Sequence, residues 1–181
     1  MLFYYFFYTV LFNHKTYNYY MLEIVEAHTK RLNREFLKVP YKLFGGETSF
    51  IMTPFIFLRG TLIQAKNPYF ANGKMVLLLA YRNGKPAGRV LIGYSDVFIS
   101  QLNKREGVFS IFDFEKNYET FKALADKTKE YFKDWNISLI RGPLPPDGED
   151  NFRGCLTDGY QHDPYFLTTW NPPYYRDYYE K

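Results

Sequence analysis

Two apolar runs joined by a tight-turn dipeptide constrain the fold of this chain more than any other feature of its sequence. The runs cover 75–82 (MVLLLAYR) and 86–94 (PAGRVLIGY), and Asn83 and Gly84 separate them. Asn-Gly is the pair that best fills a type I′ turn, in which both central residues take a positive φ. The sequence therefore predicts an antiparallel hairpin of two long strands.

The chain before and after the hairpin carries further strand and helix signals. Alternating apolar residues over 22–27 predict a first strand, and 107–114 (GVFSIFDF) predicts a buried strand after the hairpin. Thr29 is a candidate N-cap for a helix that ends near Pro40 or continues irregularly to Gly46. Two shorter helices are predicted to begin at capping sequences, Thr53-Pro54 and Asn171-Pro172-Pro173.

The second half of the chain predicts one long helix and a parallel strand. Asn117 is a candidate N-cap for an amphipathic helix over 118–135. The run 137–140 (ISLI) predicts a short strand, and a strand–helix–strand crossover of this kind is parallel. The glycine- and proline-rich stretch 142–164 is too long for a plain connection and is a candidate binding loop, after which 166–170 predicts an extended run.

Aromatic residues make up 21% of the 181 residues and crowd the beginning of the chain. The chain opens with MLFYYFFYTVLF, which is too short for a transmembrane helix of about 20 apolar residues and lacks the features of a secretory signal. The composition becomes an ordinary mixture at Met21. We therefore predict a single domain over 21–181 and an aromatic extension, residues 1–20, that is not part of the fold. A weak interfacial membrane anchor is the alternative for the extension.

Charge and reactive side chains exclude several function classes. The net charge is +4, and the densest basic stretch, 30–42, spreads over the solvent side of a helix, so nucleic-acid binding is not expected. Cys155 is the only cysteine and cannot form an internal disulfide, which favours a reducing cytoplasm. The three histidines lack metal-ligand spacing, so no metal site is predicted.

Several segments of the chain resemble one known superfamily. AYRNGKPAGRV, FLKVPYKLF, KNPYF, IRGPLPP, WNPPYY and the DGY at 158–160 are similar to the GNAT superfamily of acyl-CoA-dependent N-acyltransferases, and more narrowly to a group of poorly characterised bacterial GNAT-like proteins. The order of the predicted elements resembles that superfamily as well, over 22–181. The resemblance implies an α/β (α+β) fold with a GNAT-like mixed, mostly antiparallel central sheet flanked by helices.

The resemblance also implies a reaction. An amine on a small molecule or a peptide would attack the thioester of acetyl-CoA or another acyl-CoA directly, while a backbone N–H of the fourth strand polarises the carbonyl and a tyrosine protonates the departing thiolate. Tyr179 matches the position of that tyrosine, and packing against the sheet is its alternative role. Glu115 and Asp113 are candidates for the general base, and for both the alternative is a carboxylate that complements a helix start.

Binding residues follow from the same resemblance. The cofactor would lie along the end of the fourth strand and the turn after it, which implies cofactor contacts from Phe112, Phe114, Lys116 and Asn117. The long loop implies substrate contacts from Asp158 and Tyr160, for which a locally stabilised turn is the alternative.

Two departures from the superfamily keep a second function class open. The turn FDFEKNYETF contains none of the glycines that let backbone amides approach the cofactor's pyrophosphate, and it carries Asp113, Glu115 and Glu119. The sequence stops at Lys181, where the superfamily continues into another strand, so we expect a truncated chain that can self-associate through an exposed sheet edge. The alternative function is a non-catalytic GNAT-like binding or structural module with a degenerate cofactor site.

Overall fold

The computed structural model describes residues 21–47, 49–50, 55–146, 153–165 and 168–181. The predictions for the extension 1–20 and for a helix start at Thr53-Pro54 lie outside the described residues. In chain order the elements are β1 (Leu22–Glu26), α1 (Lys30–Phe44), α2 (Phe55–Thr61), a 3-10 turn (Gln64–Lys66), β2 (Gly73–Arg82), β3 (Lys85–Ser95), α3 (Asp96–Leu102), β4 (Glu106–Phe114), α4 (Tyr118–Asp134), β5 (Leu139–Arg141) and α5 (Tyr174–Tyr179).

The five strands form one sheet in the order β1-β2-β3-β4-β5. Neighbouring strands are antiparallel from β1 to β4, whereas β5 pairs with β4 in parallel. The hairpin β2–β3 turns at Asn83 and Gly84, whose φ angles of 52° and 74° are those the Asn-Gly dipeptide predicts. The mixed, mostly antiparallel central sheet flanked by helices that the sequence implied is confirmed, as is the parallel crossover through α4.

Helices cover both faces of the sheet and define two parts of the core. On one face α1 buries Phe36 and Val39 against strand residues that include Leu79 and Ile111. On the other face α4 and α5 pack against Leu78, Val90 and Phe114. Alternate residues of each central strand therefore face opposite helical layers, which explains why β2 and β3 read as nearly continuous apolar runs.

The first helix continues through its proline. α1 extends to Phe44 with Pro40 inside it, so the second of the two predicted endings is the observed one. A proline donates no N–H, which leaves the carbonyl of Phe36, four residues earlier, without its helical partner. The Arg89 guanidinium on β3 donates a 2.7 Å hydrogen bond to that carbonyl, so the sheet supplies the missing donor.

Two features differ from the sequence-based expectations, and a third finding concerns membrane spans. The polar stretch after β3 contains a helix, α3, that no sequence signal indicated. Residues 168–170 form no strand, so the extended run predicted over 166–170 is not seen in its described part. None of the helices described by the structure is both long enough and apolar enough to span a membrane.

Candidate functional site

Strands β4 and β5 pair over a short distance and then separate. Their register runs only from Glu106 opposite Leu139 to Val108 opposite Arg141. The next link is a single bond, in which Leu144 N donates to the carbonyl of Phe109. Beyond Phe109, no described strand lies beside the outer edge of β4, and residues 111–113 line a small open cleft there, with a cavity volume of about 30 Å³.

A β-bulge shapes β4 where it meets this cleft. Ile111 and Phe112 together face the single residue Val90 of β3, because the register shifts by one between Ser110 and Asp113. Ile111 has a φ of 47°, in the left-handed region that a β-branched side chain rarely adopts. Strained residues and bulges are concentrated at functional sites, where they redirect the backbone and its side chains.

The other walls of the cleft come from the chain after β5 and from α5. Trp170, Tyr175 and Tyr179 contribute aromatic rings, and the remaining lining residues are Pro143, Gly154, Cys155, Thr169 and Asn171. The buried Asn171 side chain fixes this loop, because its Oδ1 accepts from Leu156 N at 2.7 Å and its Nδ2 donates to the Leu156 carbonyl at 3.2 Å. The cleft is thus mainly apolar, with a few polar atoms.

Tyr179, predicted to be the proton donor, lies at this cleft. Its ring stacks on Phe109 with 6.1 Å between centroids and meets Phe112 edge-on at 6.0 Å. Its hydroxyl is buried and has no hydrogen-bond partner among the described residues. Burial raises the pKa of Tyr179 well above the usual value, and the neighbouring Cys155 and Asp113 raise it further. The hydroxyl therefore stays protonated at neutral pH and has a proton available.

Asp113, the other candidate for the general base, also lines the cleft. Its Oδ2 accepts a 2.6 Å hydrogen bond from Arg89 Nε, and its side chain is 19% exposed while that of Arg89 is 2% exposed. The same guanidinium lies over the Phe36 ring and donates to the Phe36 carbonyl. Arg89 thus donates both to Asp113 and to the backbone of α1, and Asp113 is the member of this ion pair that lines the cleft.

Glu115 occupies a different environment. Its Oε1 accepts from Arg82 Nε at 2.7 Å and from Thr120 Oγ1 at 2.7 Å, and Arg82 also pairs with Glu119 at 3.5 Å. Glu115 is not among the residues that line the cleft. Its role as general base stays a prediction, and the structure gives it a place in an ion-pair network at the start of α4.

The four predicted cofactor residues separate into different settings. Phe112 lines the cleft, whereas Phe114 is fully buried under α5, where its ring stacks on Tyr175 at 4.0 Å. Lys116 is exposed, and Asn117 caps α4 by accepting from Glu119 N at 2.9 Å. Only Phe112 of this set lines the cleft, and the cofactor contacts of all four residues stay predictions.

The predicted substrate residues lie on the loop beyond the cleft. Asp158 is exposed, and its Oδ1 accepts from Gly159 N at 2.7 Å, as in the locally stabilised turn considered above. The Tyr160 hydroxyl donates to the Leu156 carbonyl at 2.6 Å, and burial raises the pKa of this tyrosine. Neither residue lines the cleft, and their contact with a substrate stays a prediction.

Sequence reasoning missed several residues that build the site. It placed Ile111 in the core and assigned no function to Trp170 or Asn171, although the long loop containing Cys155 was a candidate binding loop. Cys155 is half-buried, and burial raises the pKa of its thiol, which keeps it protonated and unreactive. Within the described ranges, no group of three His, Cys, Asp or Glu side chains could hold a metal ion.

Comparisons with known proteins concern the fold. No protein-family model matches the chain, and no match is found among curated proteins. A GNAT-family acetyltransferase from Staphylococcus aureus Mu50 aligns with 17% identity over 66% of this chain and 72% of its own, with a TM-score of 0.49. An aminoglycoside acetyltransferase from an uncultured soil metagenomic sample, in complex with sisomicin, aligns with 12% identity over 69% and 77%, with a TM-score of 0.46. The same type of enzyme in complex with trehalose aligns with 11% identity and a TM-score of 0.44.

The fold of the chain is a mixed, mostly antiparallel five-stranded sheet with helices on both faces, in which the parallel β4–β5 pair separates beside a bulge.

Proposed function

We propose that this chain transfers an acyl group from an acyl thioester to an amine in the cleft beside β4. The observation that carries the proposal is the buried, unpartnered hydroxyl of Tyr179, a residue of the cleft that the bulged edge of β4 also lines. A buried polar group without a partner is costly, so such a group suits a site that a substrate completes. Acetyl-CoA or another acyl-CoA is the proposed donor, and the lone cysteine supports a cytoplasmic setting.

The residues of the cleft suit the thioester arm of such a donor. The rings of Phe112, Trp170 and Tyr175 offer apolar contact to an alkyl chain. The bulge leaves Ile111 and Phe112 out of regular pairing with β3. A backbone N–H of this pair can therefore donate a hydrogen bond to the carbonyl oxygen of the thioester. The amine would attack as its neutral form, and Tyr179 would donate its proton to the departing sulfur. The proton that the attacking nitrogen then loses would restore the Tyr179 hydroxyl, so that the free thiol and the amide are the only products.

The test is acyl transfer by the full chain. Purified protein is mixed with acetyl-CoA and a primary amine, and both free thiol and acetylated amine are quantified. We expect turnover in the wild type and a loss of about 100-fold in Tyr179→Phe, the size typical of a general acid. Tyr178→Phe on the same helix is the matched control and should retain activity. Equal rates for wild type and Tyr179→Phe would contradict the role of Tyr179.

The start of α4 favours a second candidate function, a non-catalytic GNAT-like module. Amides that could bind a pyrophosphate are already engaged: Glu115 N donates to the Ala87 carbonyl, Asn117 N to the Glu115 carbonyl, and Glu119 N to the Asn117 side chain. The carboxylates of Glu115 and Glu119 also pair with Arg82 at this helix end. The nucleotide part of an acyl-CoA donor therefore gains little binding energy at the start of α4.

A thermal-shift titration separates the two candidates. A ligand that binds only the folded state adds about 2.7 kcal/mol at a hundredfold excess over its dissociation constant. Saturable stabilisation by acetyl-CoA at micromolar concentration would support the transferase. No stabilisation by acetyl-CoA or by acetyl-pantetheine at millimolar concentration would support the non-catalytic module.

A further inference from the structure

The cleft beside β4 contains one charged residue among those that line it, and that residue is acidic. Asp113 lies between the bulge and the aromatic wall, and no lysine, arginine or histidine is among the lining residues the structure describes. Arg89, the cation paired with Asp113, is buried and donates to Asp113 and to the Phe36 carbonyl. Among the described lining residues, a ligand therefore meets a carboxylate and no cationic side chain.

The Asp113 carboxylate is only half satisfied. Arg89 Nε occupies its Oδ2, whereas Oδ1 accepts no hydrogen bond from the part of the chain that the structure describes. Burial raises the pKa of Tyr175 and of Tyr179 on α5, and the negative charge of Asp113 raises both further. An acceptor oxygen in a partly desolvated site favours a charged donor such as an ammonium group.

We propose that Asp113 selects the acceptor by charge, so that the chain acylates cationic amines that lack a neighbouring carboxylate. The inference rests on the proposed function and names the class of its acceptor. The unpartnered Tyr179 hydroxyl in the same cleft is the independent sign that a ligand completes the site. An amine beside its own carboxylate would place like charge against Asp113, and no basic side chain of the lining would offset it.

The test uses three acceptors that differ in one group. 1,5-Diaminopentane carries two amines, free lysine adds a carboxylate to the same skeleton, and lysine methyl ester masks that carboxylate. We expect kcat/KM for the diamine and for the ester to exceed that for free lysine about tenfold or more, the effect of one charge-assisted hydrogen bond. In Asp113→Asn the preference should fall to about twofold or less, and Asp126→Asn on the exposed face of α4 is the matched control.

Removal of the Asp113 charge leaves Arg89 buried without its counter-ion and can destabilise the fold. The double variant Arg89→Met with Asp113→Leu removes both charges, and stabilisation of each protein by the diamine alone is measured in parallel.

Stabilisation of the wild type but of neither variant supports the cation site even if no acyl transfer is detected, and in that case the proposed function fails alone. Equal use of all three acceptors, or a preference for free lysine, overturns the charge selection and leaves the transferase standing. Absence of both transfer and stabilisation overturns both.

Discussion

Tyr175 and Tyr179 lie one turn apart on α5, but their hydroxyls differ in whether they have a hydrogen-bond partner among the described residues. The Tyr175 hydroxyl accepts from the buried Phe114 N at 2.9 Å, whereas the Tyr179 hydroxyl is buried with no partner among the described residues. Removal of the Tyr175 hydroxyl leaves the buried Phe114 N–H without an acceptor, which lowers stability. Removal of the Tyr179 hydroxyl instead eliminates a buried polar group that has no partner, so it costs no hydrogen bond. The two tyrosines can therefore be distinguished by stability alone.

We expect Tyr175→Phe to lower the free energy of unfolding by about 1–3 kcal/mol, because Phe114 N loses its acceptor. Tyr179→Phe should leave stability unchanged or raise it by about 1 kcal/mol or less, since no bond is lost. Urea unfolding of the two variants and the wild type provides the measurement. A loss in Tyr179→Phe as large as that in Tyr175→Phe would show that the Tyr179 hydroxyl has a structural partner.

The single residues of the site were the hardest part to predict from sequence. Ile111 is β-branched and sits in a strand pattern, so nothing in its neighbourhood indicates a left-handed residue or a bulge. Asp113 and Glu115 are equivalent in sequence, two residues apart at the end of one strand. Only the separation of β4 from β5 distinguishes them, because it exposes Asp113 to the cleft and leaves Glu115 beside Arg82.

At the scale of single elements, the hairpin turn was predictable because its geometry is local. Asn83 has a φ of 52°, and its Oδ1 also accepts from Met21 N at 3.1 Å. A residue other than glycine or asparagine pays about 1–2 kcal/mol to enter the left-handed region. By contrast, α3 has only seven residues and buries none of them, so no apolar stripe marks a helix over 96–102.

We expect Asn83→Ala to lower the free energy of unfolding by about 1–2 kcal/mol, because alanine adopts a positive φ poorly and loses the bond to Met21. Asn83→Gly is the matched control, since it loses the same side-chain bond but accepts the backbone conformation. Thermal or urea unfolding gives the comparison. Equal losses in the two variants would mean that the bond to Met21 N, and not the turn conformation, determines the effect.

The start of α4 yields a prediction about the donor. Glu119 is 78% exposed and lies 3.5 Å from Arg82. The substitution Glu119→Gln removes a negative charge that would repel the phosphates of the donor, and it frees the Arg82 guanidinium from this ion pair. We expect acetyl-CoA to bind about three- to tenfold more tightly to this variant, whereas acetyl-pantetheine, which lacks the phosphates, should bind unchanged. Calorimetry measures both ligands, and Glu130→Gln near the far end of α4 is the control. An equal gain for both ligands would contradict an effect on phosphate binding.

At the scale of the whole molecule, two tyrosine–carboxylate bonds connect different layers. The Tyr81 hydroxyl on β2 donates to Glu35 on α1, and Tyr131 on α4 donates to Glu26 on β1 at 2.8 Å. Burial first, and then the bond to the carboxylate, raises the pKa of each tyrosine to about 12. Both helical layers are thus attached to the sheet by groups that lose their proton in strong alkali.

Stability should therefore fall at high pH. Each folded pKa lies above the unfolded value of about 10, so the stabilisation is complete below pH 10 and is lost as the pH rises toward 12. We expect the urea midpoint to decline over this range, and to decline less steeply in Tyr81→Phe and in Tyr131→Phe. Identical pH profiles in the wild type and the variants would show that other groups cause the loss.

Asn67 connects two segments that lie far apart in the sequence. This fully buried residue of the segment after α2 donates to the carbonyls of Thr61 and Pro146, at 2.9 and 2.8 Å, and its Oδ1 accepts from Tyr69 N and Phe70 N. Pro146 is 79 residues away and follows β5, so we expect that bond to form only after the strands have assembled. Because a contact that is absent from the transition state acts on the unfolding rate, we expect Asn67 to slow unfolding and to contribute little to the speed of folding.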